Sequence, residues 1–531
     1  MCGIAVAIGW PEAAVTVQKL LQGILHRGDV TDPVASLRKD VAMGTRRLQI
    51  VDAERATQPQ LSFDRRIAIA FNGEIYNHCE LRRELSNLGV VFRTESDTEL
   101  LASALQFWGP HALERLVGMY AFVAVDVVSG EFLAARDPFG VKPLYAIQST
   151  DSFLFCSEIQ PLLKTVPAGD VLLVPPGYMV TGKGCGRYKS LIYPRTDLPV
   201  QYDPATLDGL LSEAVRLRLP PGLPVATLFS GGIDSTLVAH YVRQLRSDAP
   251  CYFVGSTSAP DYPFAAEYAD RAGVDLRLVP FEPDSEDIFS QLGHVIEVTE
   301  SFEPNLVRGA ICSLMAGEQM HHDGYRVALC GEGADELFCG YPPLELAFFN
   351  DEIEGRAFRD ECLQLMNRVS LQRIDRCSMR HQVEMREPFL DPAVVTYALG
   401  LDAAALVNEV DGLPRGKAPL RDIYDLYSGL PRSIRDRAKI PFGEGAGLDV
   451  APQDSTWKRR FNDVISDAEL LDGRVEFSEF NIQSKEELHY IRHLNQVMDI
   501  SRVPHLRDRA WISFSVKQNR EKLESYAYLS L

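Results

Sequence analysis

The 531-residue chain has no apolar run approaching the roughly 18–20 residues needed to span a bilayer, which excludes a helical membrane anchor from its expected features. Positive charge is short: 54 Lys+Arg stand against 73 Asp+Glu, a formal net charge of −19. That balance argues against broad electrostatic binding to nucleic acid or to an anionic membrane, so an anionic ligand would need a local cationic site. The ten cysteines form no CxxC pair and no Cys/His cluster, which predicts reduced thiols rather than a disulfide framework or structural zinc. Basic residues are missing from the start. The first is Lys19, so the apolar stretch 2–10 lacks the flank of a secretory signal, and a cytoplasmic protein is expected. Internal repeats and low-complexity tracts are absent too.

What is present is an ordinary globular composition, 46% hydrophobic, 24% charged and 9% aromatic, in a chain long enough for two or three cores. The first third alternates short β-branched runs with turn signals, predicting strands near 3–9, 66–72, 121–126, 131–135 and 152–157. Helices are expected over 78–87 and 97–108. The Pro-bearing stretch 193–204 reads as a linker, and the boundary falls near Asp197, giving domains 1–195 and 196–531. Beyond it strands alternate with longer helices: strands at 224–229, 251–254, 276–280 and 325–330, and a helix at 235–245. That order implies a doubly wound, mostly parallel sheet whose ligands sit beyond its C-terminal strand ends. After Tyr341 the pattern is mainly helical.

Cys2 follows the initiator Met. With Met1 removed, one residue would carry both a thiol and an α-amine whose reference pKa, about 7.7–8.0, suits a general base near neutrality. Five ordered blocks accompany it: Met1-Cys2-Gly3-Ile4, residues 44–52, Asn72-Gly73-Glu74-Ile75-Tyr76-Asn77, Ser96-Asp97-Thr98-Glu99 and residues 136–145. Taken singly, Asn72-Gly73 also reads as a hairpin turn, and Ser96 with Glu99 as a capping box. Together the blocks closely resemble the class II glutamine amidotransferase domain, an N-terminal-nucleophile hydrolase with an αββα sandwich. The resemblance implies that Cys2 is the nucleophile and that the Asn72 side chain and the Gly73 N–H form the oxyanion hole. It further implies that Arg47 grips the glutamine α-carboxylate, that Asp97 and Glu74 hold its α-ammonium, and that backbone groups of Leu48, Ile50 and Val51 complete the pocket. One block departs: His26-Arg27-Gly28-Asp29-Val30 stands where the family has His-Arg-Gly-Pro-Asp.

Ser230-Gly231-Gly232-Ile233-Asp234-Ser235 joins an expected strand to an expected helix. Paired glycines allow close backbone approach, and a helix N-terminus favours anions. The motif resembles the PP-loop of ATP pyrophosphatases. The nearest approach to a Walker A loop, Gly412 to Gly416-Lys417-Ala418, is one residue short and lacks the Ser/Thr, so it is set aside. A second Gly-rich turn, Cys330-Gly331-Glu332-Gly333-Ala334-Asp335-Glu336, crowds three carboxylates that would repel one another without a cation or proton. It resembles the GEGxDE motif of glutamine-hydrolysing asparagine synthetases. Residues 437–447, 384–391 and 484–492 look like further blocks of that family, although Glu387 replaces its usual Val.

From that resemblance follow ATP and Mg²⁺ as cofactors, with Phe229, Ser230, Gly231, Gly232, Asp234, Ser235, Val254, Cys330 and Gly331 around ATP. Asp234 and Asp335 would hold the metal, Glu332 would manage the proton lost by ammonia, and Lys439 would offset charge at the α-phosphate. Arg308 survives as the candidate for the acceptor's carboxylate, but Asn305-Leu306-Val307-Arg308-Gly309-Ala310 lacks the hydroxyls of the family's Thr-Thr-Ile-Arg-Ala-Ser. The implied fold is α/β, an αββα amidotransferase domain followed by a doubly wound pyrophosphatase domain with a helical C-terminal part. The implied activity is glutamine-dependent asparagine synthesis, a carbon–nitrogen ligase reaction. A related amidotransferase acting on another carboxylic acid is the alternative, ahead of a β-lactam synthetase-like enzyme or a non-catalytic binding protein. Small molecules are the expected partners, with no nucleic acid and no membrane, and a homodimer is left open.

Overall fold

The computed structural model describes residues 2–52, 55–189, 200–282, 285–448 and 456–508. These divide into two compact units: Met1–Leu191 with Met379–Gln382 and Asn495–Asp508, and a second built mainly from Ile192–Ser378 and Val383–Leu494. The expected boundary near Asp197 lies outside the described residues, as does the chain beyond Asp508. No helix among the described residues is long and apolar enough to cross a membrane.

The first unit stacks two antiparallel sheets. One has the strand Cys2–Ile8 at its centre, between Val41–Arg47 and Ser152–Cys156; the other centres on Ile67–Ile75, Gly118–Asp126 and Phe132–Arg136. Strand alternation sorts the side chains between two faces. Ile4, Val6 and Ile8 meet Ala68, Ala70, Val123 and Phe155 between the sheets. Ile69, Phe71 and Ile75 face the other way and pack under the helices His78–Asn87 and Asp97–Trp108. The helices Ala13–Gly23 and Ile159–Thr165 pack on the outer side of the first sheet, which completes an αββα sandwich. The expected helices 78–87 and 97–108 have those bounds in the structure. The strand Val41–Arg47 carries Met43, Gly44, Thr45 and two arginines and went unread because it shows no clean alternation. Asn72-Gly73 lies within the strand Ile67–Ile75 and makes no hairpin turn.

In the second unit five parallel strands run in the spatial order Leu276–Pro280, Cys251–Gly255, Val225–Leu228, Val327–Leu329, Glu384–Arg386. Numbered along the chain this is 3-2-1-4-5, so the order reverses between the first and fourth strands and a crevice opens at their C-terminal ends. The last strand was not expected, because a buried strand is normally apolar. Its charges answer one another: Arg386 Nε donates to Glu384 Oε1 at 2.6 Å, and Arg386 Nη1 to the Arg218 carbonyl at 2.7 Å. After Tyr341 the chain is mainly helical.

Phe155 is fully buried, within 5.8 Å of the Phe132 ring and 5.9 Å of the Phe153 ring. Phe155→Ala should cost about 3–5 kcal/mol, measured as a lower urea midpoint for loss of the near-UV circular dichroism.

Candidate active sites

In the first unit Cys2 and Arg47 are register partners in the central ladder, so the thiol stands on a rigid strand end. Asn72 reaches it from the facing sheet: the Cys2 backbone N–H donates to Asn72 Oδ1 at 3.0 Å. That bond leaves Asn72 Nδ2 buried with no hydrogen-bond partner among the described residues. A buried donor left unpaired beside a thiol is costly unless an acceptor arrives, and a developing oxyanion is such an acceptor. Gly73 follows on the same strand, opposite Tyr120.

Burial pushes the Cys2 thiol up to about 11, against the partial relief of the Leu48 backbone N–H and Arg47. Near neutrality the sulfur therefore holds its proton. Arg47 is buried and spends Nε and Nη2 on Asp32, at 2.9 and 3.3 Å. Asp97 sits in the first helical turn and accepts the Ile75 N–H at 3.0 Å, with Glu74 buried nearby in sequence. Ser96 caps that helix through the Thr98 N–H, but Glu99 turns instead to the N–H groups of Arg93 and Thr94, so no capping box forms. Leu48 is buried; Ile50 and Val51 are half-buried.

Three supports went unread in the sequence. Gln58 donates to Cys2 Sγ at 3.7 Å and to the Phe71 carbonyl at 3.1 Å, and its Oε1 accepts the Phe71 N–H at 2.8 Å. Asp32 ties Arg47 to the Gln58 N–H. The departing block holds its place as well: fully buried Arg27 donates to the Cys2 carbonyl at 3.3 Å and pairs with Glu158, while the Asp29 N–H bonds the Arg47 carbonyl. Gln58 and Asp32 sit in no motif whose chemistry announces them, and Arg27 stands in a block whose place beside Cys2 only the fold displays.

In the second unit the Ser230–Ser235 turn follows the first strand and opens the helix Ile233–Leu245. Gly231 has φ +69°, and a Cβ there would come within 2.8 Å of the Ala265 nitrogen, so only glycine suits. Ser235 Oγ braces the turn, accepting from the Ser230 N–H and donating to the Gly232 carbonyl. Arg437 adds an unforeseen clamp: it donates to the Gly231 carbonyl at 3.1 Å and pairs with Asp261. The turn 330–336 follows the fourth strand, and Gly331 lies against Asp234 and Ser235. Phe229, Val254 and Cys330 are buried at neighbouring strand ends.

The charges of this crevice are paired. Lys439 Nζ meets Asp335 Oδ2 at 2.7 Å, and Lys417 Nζ lies 2.5 Å from both Asp234 Oδ2 and Asp335 Oδ1. Burial pushes the Asp335 carboxyl up, but the two ammonium groups outweigh it and hold it well below the usual carboxylate range. Glu332 pairs with Arg373, whose guanidinium lies over the Phe442 ring. Arg308, the candidate for the acceptor's carboxylate, is engaged within the chain. Its Nε donates to Glu486 Oε1 at 2.8 Å and its Nη2 to Oε2, while Trp457 and Tyr490 donate to the same carboxylate. The fork read as open for an acceptor carboxylate is closed on an internal one, because Glu486 is buried and needs a counter-charge.

Residues 1–171 match the family described as Glutamine amidotransferase domain, and residues 206–359 and 353–493 match the one described as Asparagine synthase. An asparagine synthetase [glutamine-hydrolyzing] of Triphysaria versicolor is 30% identical over 469 residues, covering 84% of this chain and 78% of the relative. The chain belongs to the glutamine-hydrolysing asparagine synthetase family. Asparagine synthetase [glutamine-hydrolyzing] 3 of Arabidopsis thaliana is 28% identical across 92% of this chain and 86% of its own length. Among solved structures, the allosteric regulatory enzyme of purine biosynthesis overlaps 52% of this chain and 80% of its own at 19% identity, with a TM-score of 0.32. As a member of this synthetase family the chain is a ligase.

Two outcomes follow for this family member. Asn72→Ala should lower kcat for glutamine hydrolysis by about 10²–10³ with little change in KM, measured by glutamate release. Alkylation of Cys2 by iodoacetamide, followed by mass spectrometry of its peptide, should keep climbing between about pH 9 and 11, because the buried thiol ionises only there; a plateau below pH 9 would contradict the burial effect.

Proposed function

We propose that this ligase is a glutamine-dependent asparagine synthetase. Cys2 would attack the glutamine amide, with Asn72 Nδ2 and the Gly73 N–H donating to the oxyanion, and the γ-glutamyl thioester would be hydrolysed to glutamate. Arg47, Glu74 and Asp97 would orient the amino acid, with the backbone of Leu48, Ile50 and Val51. The ammonia released would be consumed in the second unit. There the β-carboxylate of aspartate would attack the α-phosphorus of ATP held on the Ser230–Ser235 turn, expelling pyrophosphate and giving β-aspartyl-AMP. Ammonia would displace AMP from that anhydride, Glu332 taking its proton and Lys439 offsetting charge at the phosphate.

Carrying this reading is the meeting of an anion-favouring turn and a carboxylate-bearing turn at the point where the strand order reverses. Among the described residues no group of three or more His, Cys, Asp or Glu converges as a metal cluster, but two carboxylates do. Those two fit Mg²⁺, which takes much of its shell from phosphate and water, and Asp234 Oδ1 is buried without a hydrogen-bond partner among the described residues. When bound, Mg²⁺ would neutralise charge on the pyrophosphate.

Amidation of a different carboxylic acid through an acyl-adenylate is the second reading. It is favoured by the closure of Arg308 on Glu486, in a helix start without hydroxyls. The test is product analysis with glutamine, Mg-ATP and a panel of acids that includes aspartate. Aspartate should give asparagine, glutamate, AMP and pyrophosphate, and Cys2→Ala should retain the reaction with ammonium salts alone. Pyrophosphate release with another acid but not aspartate selects the second reading; release with none overturns both.

A further inference from the structure

The stretch set aside as a shortened Walker A loop, Gly412 to Lys417, ends in the crevice of the second unit. Lys417 is 4% exposed, and its ammonium lies 2.5 Å from Asp234 Oδ2 and 2.5 Å from Asp335 Oδ1. Its arrival there is built by the backbone. Lys417 has φ +58°, rarely adopted by a residue with a side chain, and precedes the helix Ala418–Asp425. Its N–H is fixed to the Phe338 carbonyl at 2.7 Å. A Cβ on Gly340 would overlap Asp335 Oδ1 and Lys417 Cε, and one on Gly416 would overlap the Cys339 carbonyl oxygen. With Lys439 on the other oxygen of Asp335, the charges alternate as Lys439, Asp335, Lys417, Asp234.

A lysine between two carboxylates competes for the oxygens that a metal would use. A free divalent ion would have to displace the ammonium and leave it buried without a counter-charge, which is strongly unfavourable. A triphosphate removes that obstacle, since its oxygens offer the ammonium a new partner while carrying the metal with them.

We infer that Lys417 is the resident counter-ion of the nucleotide-free site: it holds Asp234 and Asp335 together, excludes free divalent cations, and yields a carboxylate oxygen only when the metal arrives with the triphosphate. This inference rests on the ATP-site reading above. It makes Lys417 a positioning residue that orders metal and nucleotide binding.

Equilibrium dialysis of the full chain tests it, with Mn²⁺ as the metal probe and α,β-methylene-ATP, which cannot be cleaved between those phosphorus atoms. Asp234→Asn supplies the background for Mn²⁺ bound elsewhere. Without nucleotide, wild type should hold no more Mn²⁺ than that background; with the analogue it should gain Mn²⁺ and nucleotide together. Lys417→Met and Lys417→Gln, checked for folding by near-UV circular dichroism, should bind Mn²⁺ without nucleotide about tenfold or more tightly than wild type, because two adjacent carboxylates lose their cation. Equal binding by wild type and these variants overturns the inference while leaving the ATP reading intact. If the variants do not fold, wild type decides: Mn²⁺ held as tightly without the analogue as with it overturns the inference. Failure of wild type to bind the analogue at all overturns both.

Discussion

Two aspartates of like charge are held in contact with one common cation, Lys417, at the end of one sheet, and the turns around them depend on that contact. The strand order makes it unavoidable. The first and fourth strands are neighbours, so the turns that follow them open at the same end, and each turn carries an aspartate. Glycine at 231 and 331 lets the backbones close up, and the cations come from far along the chain, at 417 and 439. The result is locally neutral, two ammonium groups against two carboxylates, within a chain whose net charge is −19.

The first unit solves a different problem. Cys2 is on a strand end, Asn72 on a strand of the opposing sheet, and a single glutamine amide, that of Gln58, bonds both Cys2 and the residue before Asn72. Gln58 bonds the Phe71 backbone as a neighbouring strand would, and Phe71 immediately precedes Asn72, so the position of Asn72 is fixed from the residue beside it. Rigid elements hold such geometry better than loops do.

The elements that sequence pattern revealed were those with a single dominant signal: apolar periodicity in the helices at 78–87 and 97–108, and short, largely apolar runs at 251–254 and 276–280 between helical stretches. Motif order likewise singled out Cys2, Asn72, Asp234 and Asp335, and the fold places Asn72 against Cys2 and both aspartates against Lys417. What stayed hidden depends on pairing across the fold. The strand Glu384–Arg386 can be buried because its two charges pair with each other and the Arg218 carbonyl accepts a further guanidinium N–H. Lys417 reads as the remnant of the wrong motif until Gly340 and Gly416 are seen to make way for it. The pairing of Arg308 was equally hidden, since an arginine in a motif says nothing about Glu486, 178 residues later, which it bonds.

The alternation of the two facing strands carries one more consequence. Cys2, Ile4, Val6 and Ile8 share a parity, as do Ala68, Ala70 and Asn72, and the apolar members of both sets fill the space between the sheets. Cys2 and Asn72 therefore point toward each other for the same reason that the apolar residues meet between the sheets. A one-residue slip of the strand Ile67–Ile75 against its neighbours would turn its alanines outward and Asn72 away together, so core and Cys2–Asn72 contact share a single register.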